Sequence, residues 1–426
     1  MEKIYFKTFG CSVNFSESEA MKGLLVTEGK FEITENEEGA SLIVVNICTV
    51  KTDTLALREI KRVKENHPYK KIVVAGCIPS HLVGRIKTVA PNCGMVSTNN
   101  LRDIVRVVEE TLHDNPVALL QQKDEIKINI PKIRKNEIIG IVPISNSCLG
   151  NCSYCIVKII KGNFYSYPEE MIVDEVKRCL EDDCKEIWVT AQDTGCYGRD
   201  IGTDLASLLE EVIKLNKQFM VRVGMMNIDN ILDNVDGLIK IYKNKKIFKF
   251  LHIPVQSGNN DILKLMKRDY TIEEFKEIIK KFRKAIPEIT VSTDIICGFP
   301  TETKEQFNDS KKLIDGIKPD VLNISRFRAR PGTEAAKLEQ PSGDETKNRS
   351  RYLTSTFDWT AYEQNKKWFG WRGSVIVDEK GKDNTWIGRN YCYKPVVLKE
   401  NLKFGDIVKV KIIDITKYDL RGEVIK

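Results

Sequence analysis

Residues 137–155 read EIIGIVPISNSCLGNCSYC. The first half is an apolar, β-branched run of strand length. The second half is a polar loop with three cysteines, Cys148, Cys152 and Cys155, spaced C-x3-C-x2-C. A strand that ends in a reactive loop is the working unit of open α/β folds, where ligands collect at the carboxyl ends of the strands. Five more runs of strand character follow: KEIWVTAQD (185–193), FMVRVGMMN (219–227), FKFLHIPVQ (248–256), ITVSTDIICGFP (289–300) and VLNISRFRA (321–329). Helical periods separate them, as in PEEMIVDEVKRCLEDD (168–183) and IEEFKEIIKKFRKA (272–285). Six βα units predict a partial (β/α)6 barrel, since the eightfold barrel takes about 250 residues. Right-handed crossovers gather the six strand ends at one mouth, and the cysteine loop belongs there.

Upstream, KIYFKTFGC (3–11), ASLIVVNIC (40–48), KKIVVAGC (70–77) and GMVST (94–98) read as strands. Helical patterns at 16–29, 50–66 and 100–113 separate or follow them. This predicts an N-terminal open, parallel α/β sheet. Cys11, Cys48 and Cys77 each stand at the carboxyl end of one of its first three strands. Residues 114–133 lack periodicity and read as a linker. At the other end, a charged helical stretch (343–368) leads to five short strands joined by Gly/Asn/Asp turns: 373–380, 385–390, 394–400, 405–415 and 420–426. These predict a small all-β barrel of the oligonucleotide-binding kind. The α/β chain thus divides into 1–114, 134–360 and 361–426.

The last segment carries 14 Lys/Arg against 9 Asp/Glu within a net charge of +7. That bias suits a polyanion partner, with Trp386, Tyr391 and Tyr393 as candidate stacking residues for RNA. The N-terminus has no signal-peptide pattern and no apolar run spans a bilayer, so a cytoplasmic location without membrane attachment is expected. Twelve cysteines in such a compartment point to metal or cluster ligation rather than disulfides. Only four histidines exist, His67, His81, His113 and His252, so histidine-based acid–base chemistry is poorly supplied. A structural zinc site asks for four ligands. Three thiolates instead suit a four-iron cluster with one iron left open. Cys93, Cys179, Cys184, Cys196, Cys297 and Cys392 have no completing partners and read as core or incidental, with Cys196 at the barrel mouth.

The cysteine spacing at 148–155 is the signature of radical S-adenosylmethionine (SAM) enzymes, and the whole chain resembles the methylthiotransferases among them. KTFGCSVNFSES (7–18), VVNICTV (44–50) and VAGCIPS (74–80) are similar to the three cysteine motifs of that family's N-terminal domain. HIPVQSGNNDILKLMKRDYT (252–271), STDIICGFPTET (292–303) and RARPGTEAAK (328–337) resemble its core blocks, and the final barrel resembles its RNA-binding TRAM domain. CLGNCSYCIVKIIKGNFYSYP (148–168) and EIWVTAQDTGCYGRDIGTDL (186–205) look most like the archaeal and eukaryotic branch. That branch acts on N6-threonylcarbamoyladenosine at position 37 of tRNA, just 3′ of the anticodon. One departure stands out: Thr301 in GFPTET occupies a place where the family usually has Gly.

The resemblance implies two [4Fe–4S] clusters and SAM. Cys148, Cys152 and Cys155 would hold the SAM-binding cluster, where reductive cleavage of SAM gives a 5′-deoxyadenosyl radical. Cys11, Cys48 and Cys77 would hold an auxiliary cluster at which sulfur is bound and methylated. The expected partners are a tRNA anticodon stem-loop, an electron-donor protein and a sulfur source. Around the barrel mouth, Tyr154 is placed to pack on adenine. Gln192, Asp193 and Thr194 are candidates for the methionine ammonium, although Asp193 also suits a helix N-cap. Gln256, Ser257 and Asp294 are further SAM candidates. Arg326, Arg328 and Arg330 alternate along the last strand and would meet SAM carboxylate or tRNA phosphate; a solvated edge strand is the competing view. The rival readings are a methylthiotransferase for isopentenyladenosine or for a ribosomal-protein aspartate, and, in another class, a non-catalytic metal-containing RNA-binding protein.

Overall fold

The computed structural model describes residues 1–49 and 53–425. The first residues of the helix expected over 50–66, and Lys426, lie outside them. The N-terminal sheet has six strands, all parallel, in the order Phe31–Thr34, Glu2–Thr8, Leu42–Cys48, Lys71–Cys77, Gly94–Ser97, Ala118–Leu119. Two of these, Phe31–Thr34 and the two-residue edge Ala118–Leu119, are additional to the four expected. The central strand Leu42–Cys48 is buried on both faces because period 2 sends Leu42 and Val44 to one core and Ile43, Val45 and Ile47 to the other. Each such fully buried side chain contributes about 1.5–3 kcal/mol.

Residues 114–133 are not a free linker. After the edge strand the segment straps the first domain to the second, with Glu125, Lys127, Ile128 and Ile130 buried. Gly23 of the helix Ser12–Thr27 shows how close the strap runs. A Cβ there would lie 1.9 Å from the carbonyl oxygen of Pro131.

The central domain holds two three-stranded parallel sheets. One runs Met220–Val223, Glu186–Thr190, Ile139–Pro143, and the other Phe250–His252, Thr290–Cys297, Val321–Arg326. A parallel bridge from Val221 to Ile247, in the segment that leads into Phe250–His252, brings them side by side. The six strands thus curve in chain order as the expected partial barrel. The last strand stops at Arg326, so Arg328 and Arg330 sit in the loop beyond it. The basic strand face expected from their alternation does not form.

The helix Gly343–Lys366 runs across the 360/361 boundary into a closed five-stranded barrel, ordered Arg372–Lys380, Trp386–Arg389, Pro395–Leu398, Leu420–Val424, Ile407–Ile415. Its turn at 390–394 docks on the central domain. Lys249 N donates to the Tyr391 carbonyl at 2.8 Å, and Lys394 Nζ reaches Asp320 Oδ1 at 2.8 Å. The Arg222 guanidinium lies 5.0, 5.2 and 5.2 Å from the rings of Trp188, Phe250 and Tyr393. Tyr391 and Tyr393 are therefore occupied by the domain interface, and Trp386 packs on Phe404. All three rings have aromatic neighbours within the protein and are partly buried. Among the exposed aromatics of the last helix and the barrel are Trp359 (68%), Phe369 (65%) and Tyr418 (73%). No helix among the described residues is long and apolar enough to cross a membrane.

Candidate functional site

Two groups of three thiols form at strand ends. In the first, Cys11 caps the helix Ser12–Thr27, while Cys48 and Cys77 end adjacent strands in register. Cys48 is in hydrogen-bonding contact with both Cys11 and Cys77. Asn14, one turn into the helix, orients them. Its Oδ1 faces the sulfurs of Cys11 at 3.8 Å and Cys77 at 3.7 Å, while its Nδ2 donates to the Ile47 carbonyl at 2.9 Å. Gly10 makes the approach possible. Its φ is +115°, and a Cβ there would lie 2.4 Å from Cys48 Cβ.

In the second, Cys148, Cys152 and Cys155 follow the strand Ile139–Pro143. The Gly150 N–H donates to Cys148 Sγ at 3.3 Å, and the Cys155 N–H donates to the Cys152 carbonyl at 3.0 Å, which folds the loop around its thiols. Arg268 Nη1 donates to Cys152 Sγ at 3.4 Å. A cavity of about 370 Å³ opens onto all three cysteines, with Lys158, Lys267 and Glu334 at its edge. A second, of about 670 Å³, adjoins it and is lined by Asp229, Asn230 and Arg268. Together they are ample for a nucleoside-sized ligand.

The two groups are neighbours. Cys77 packs against Ile156 and Ile160, immediately beyond Cys155. Arg330, half-buried, lies in the electrostatic reach of Asp53, Cys48 and Cys155. Burial is the main force pulling its pKa down.

The candidate SAM residues fall into distinct roles. Tyr154 packs edge-on against Phe299, ring centres 6.4 Å apart, in a small apolar cluster beside the loop. Asp193 is fully engaged as a cap. Its Oδ1 accepts from Gly195 N and Asn227 N at 2.9 Å each, and its Oδ2 accepts from Asn230 Nδ2 at 2.7 Å and faces Cys148 Sγ at 3.8 Å. Thr194 is buried and donates to the Met225 carbonyl at 3.0 Å. Of that trio, Gln192 alone keeps a buried amide oxygen without a partner among the described residues. Gln256 sits at φ +69° and bridges to the Asp294 carbonyl through its N–H at 2.8 Å. The buried Ser257 hydroxyl accepts from Asn259 N at 3.3 Å. Asp294 is held by His252 Nε2 at 3.0 Å and Asn323 Nδ2 at 2.7 Å. Arg326 and Arg328 are exposed.

Sequence reading missed Arg268, Asn227 and Asn230. Arg268 follows Lys267 in KRDY (267–270), and a basic pair before an acidic and an aromatic residue carries no signal by itself. Cys196, read as incidental, is buried at the site in hydrogen-bonding contact with Cys148, and it donates to the Asp193 carbonyl at 3.1 Å.

The donor chemistry fits iron–sulfur clusters: soft thiolates, three per site, on loops opened by glycine. Among the described residues no set of Cys, His, Asp or Glu is gathered as a single ion requires. A cluster is larger than an ion and brings its own sulfide, so the same thiols suit it.

Comparison with known proteins agrees with the geometry. Residues 142–314 match the radical SAM superfamily, 3–97 match Uncharacterized protein family UPF0004, and 373–425 match the TRAM domain. The chain is 38% identical over its full length to a probable threonylcarbamoyladenosine tRNA methylthiotransferase of Pyrococcus horikoshii, and covers all of that protein. It is 37% identical over 99% of its length to the human threonylcarbamoyladenosine tRNA methylthiotransferase, of which it covers 74%. Among solved structures, a radical SAM methyltransferase from Kitasatospora setae has the same general fold, with TM-score 0.57 and 13% identity over 79% of this chain and 74% of that one.

Proposed function

Because the chain belongs to the family of threonylcarbamoyladenosine tRNA methylthiotransferases, we propose that it converts N6-threonylcarbamoyladenosine 37 of tRNA to its 2-methylthio derivative, using SAM and two [4Fe–4S] clusters. The observation that carries this reading is the convergence of two three-thiol groups on neighbouring loops, with Cys77 against Ile156 and Ile160. When bound, clusters and SAM supply the one-electron and sulfur chemistry that adenine C2–H, neither acidic nor electrophilic, does not offer to ordinary side chains.

The chain's own residues hold and orient. Cys148, Cys152 and Cys155 would ligate the SAM-binding cluster, and Cys11, Cys48 and Cys77 the auxiliary one, each leaving a coordination position for an incoming ligand. Arg268 places positive charge at Cys152. Asp193 ties the Cys148 loop to the segment at 227–230, and the Gln192 amide is the group available to SAM. The cavity that opens onto Cys148, Cys152 and Cys155, with the N-terminal thiols close behind through Cys77, suits an adenosine whose C2 must approach both. The basic C-terminal barrel and the exposed Trp359 and Tyr418 suit the anticodon stem-loop. An electron-donor protein, a sulfur source and a cytoplasmic setting complete the reading.

The test is anaerobic reconstitution with iron, sulfide, SAM, reductant and tRNA carrying threonylcarbamoyladenosine. Formation of both 5′-deoxyadenosine and the 2-methylthio nucleoside, by mass spectrometry, is expected. 5′-Deoxyadenosine without the methylthio product, on this tRNA but not on one carrying isopentenyladenosine, would assign the chain to the other substrate.

A further inference from the structure

The helix Gly343–Lys366 lies between the segments that match known families, 142–314 and 373–425. Its inner face, through Leu353 and Phe357, packs into the core of the central domain. Its outer face carries Tyr352, Ser355, Trp359, Tyr362 and Lys366, at steps of three and four residues, which makes them one stripe. Tyr352, Trp359 and Tyr362 are all exposed, and Phe369, exposed as well, follows just past the helix end. Trp359 and Tyr362 stack on each other, ring centres 6.0 Å apart and planes 27° from parallel. The barrel adds Tyr418, exposed on the turn between Ile407–Ile415 and Leu420–Val424. That turn is held to the same stretch of helix. Asn365 Nδ2 donates to the Thr416 carbonyl at 2.9 Å, and Lys417 Nζ donates to Asp358 Oδ2 at 2.6 Å.

A row of exposed rings on a helix whose other face is packed calls for a partner. The stripe holds no Leu, Ile or Val, which a helix-to-helix seam would use. Rings set among cations are instead what single-stranded nucleic acid stacks on. Charge points the same way. The acids around the rings, Asp358, Glu363 and Asp419, are met by Lys417 at 2.6 Å, Lys366 at 3.7 Å and Arg421 at 3.7 Å. Arg351 and Lys367 are exposed along the same stretch and take part in none of these pairs. The positive surplus would repel a second copy of the face and attract a polyanion. The helix is also anchored at the barrel mouth. Arg349 Nη1 donates to Glu302 Oε2 at 2.6 Å, in the loop that follows the strand Thr290–Cys297. From Arg349 to Trp359 the helix rises about 15 Å, the span of about four stacked nucleotides.

Resting on the tRNA reading above, we propose that Trp359 and Tyr362, with Tyr418 on the adjoining turn, form a platform on which unpaired nucleotides of the substrate RNA stack, a few positions from the adenosine at the mouth. Every base presents a ring face, so the platform holds the RNA without reading its sequence. It supplies affinity and leaves selection of the modified base to the barrel mouth.

The test is direct binding of the full chain, reconstituted anaerobically, to a fluorescently labelled anticodon stem-loop carrying threonylcarbamoyladenosine, read by anisotropy over a range of salt. Trp359→Ala should weaken binding at least fivefold at every salt concentration and leave the salt slope unchanged, because stacking releases no counterions. Tyr362→Ala should weaken it in the same direction. Trp359→Leu should behave as Trp359→Ala does, whereas Trp359→Phe, which keeps a ring face, should stay within threefold of the parent. Tyr69→Ala removes an exposed ring from the first domain and should change nothing. The urea midpoints of all these variants should match the parent's, since the rings are exposed. Parent-like affinity in Trp359→Ala overturns the proposal and leaves the tRNA reading standing. Parent-like affinity in Trp359→Leu overturns it too, since a plain apolar contact then suffices. A dimer of the parent that Trp359→Ala dissolves, with RNA affinity unchanged, assigns the face to a second copy and likewise overturns it. A parent that does not bind the stem-loop overturns the tRNA reading itself and the proposal with it.

Discussion

The guanidinium of Arg268 stands 3.4 Å from the sulfur of Cys152 and is itself buried, 116 residues away in sequence. Its other contacts, the Pro254 carbonyl at 3.1 Å and the Tyr270 hydroxyl at 3.2 Å, leave it one orientation. Arg268→Met removes the cation at the thiolate and strands the carbonyl. We expect 5′-deoxyadenosine formation to fall at least tenfold and stability to fall by about 2 kcal/mol, measured by product assay and urea unfolding. Arg268→Lys should restore more stability than activity, because an ammonium does not reproduce the guanidinium fork.

The two thiol groups draw on different strands, so they should load separately. Cys152→Ala is expected to abolish SAM cleavage while keeping about half the iron of the parent, assayed anaerobically by iron content and optical spectrum. Complete loss of iron would show that the sites assemble together.

Glu186 is buried beside Asp378 at the interface with the C-terminal barrel, and burial first, then Asp378, pushes its carboxyl up to about 8. A raised carboxyl pKa means the folded state holds a proton that the unfolded state gives up. Stability is therefore greatest from this group below the ordinary carboxyl pKa and declines as pH rises toward about 8. Glu186→Gln keeps an acceptor for Trp188 Nε1, 3.2 Å away. It should flatten the decline and raise stability at pH 9 by on the order of 2 kcal/mol, read from thermal unfolding across pH.

Thr301 has φ +68°, a conformation that a β-branched residue adopts only under strain. The family's usual glycine is at ease there. Thr301→Gly should stabilise the chain by about 1 kcal/mol, seen as a higher urea midpoint with an unchanged slope.

Alternation of strand and helix periods, the cysteines at strand ends and the turn-punctuated final barrel were all legible in the sequence, because each depends on local periodicity and on a residue's place at the end of a run. From these alone Cys11, Cys48 and Cys77 could be assigned to one sheet edge, and Cys148, Cys152 and Cys155 to one barrel mouth. The short strands Phe31–Thr34 and Ala118–Leu119 were not legible, since the first runs into the acidic stretch ENEE (35–38) and the second is two residues long. Nor was the use made of polar and aromatic side chains. Asp193 is consumed by backbone N–H groups and amides from the segment at 227–230, Tyr393 by Arg222, and Arg268 by a sulfur 116 residues away. A charge or a ring has no direction in sequence. Its partner is chosen by which elements pack together and by the cost of burying it unpaired, and only the tertiary structure decides that.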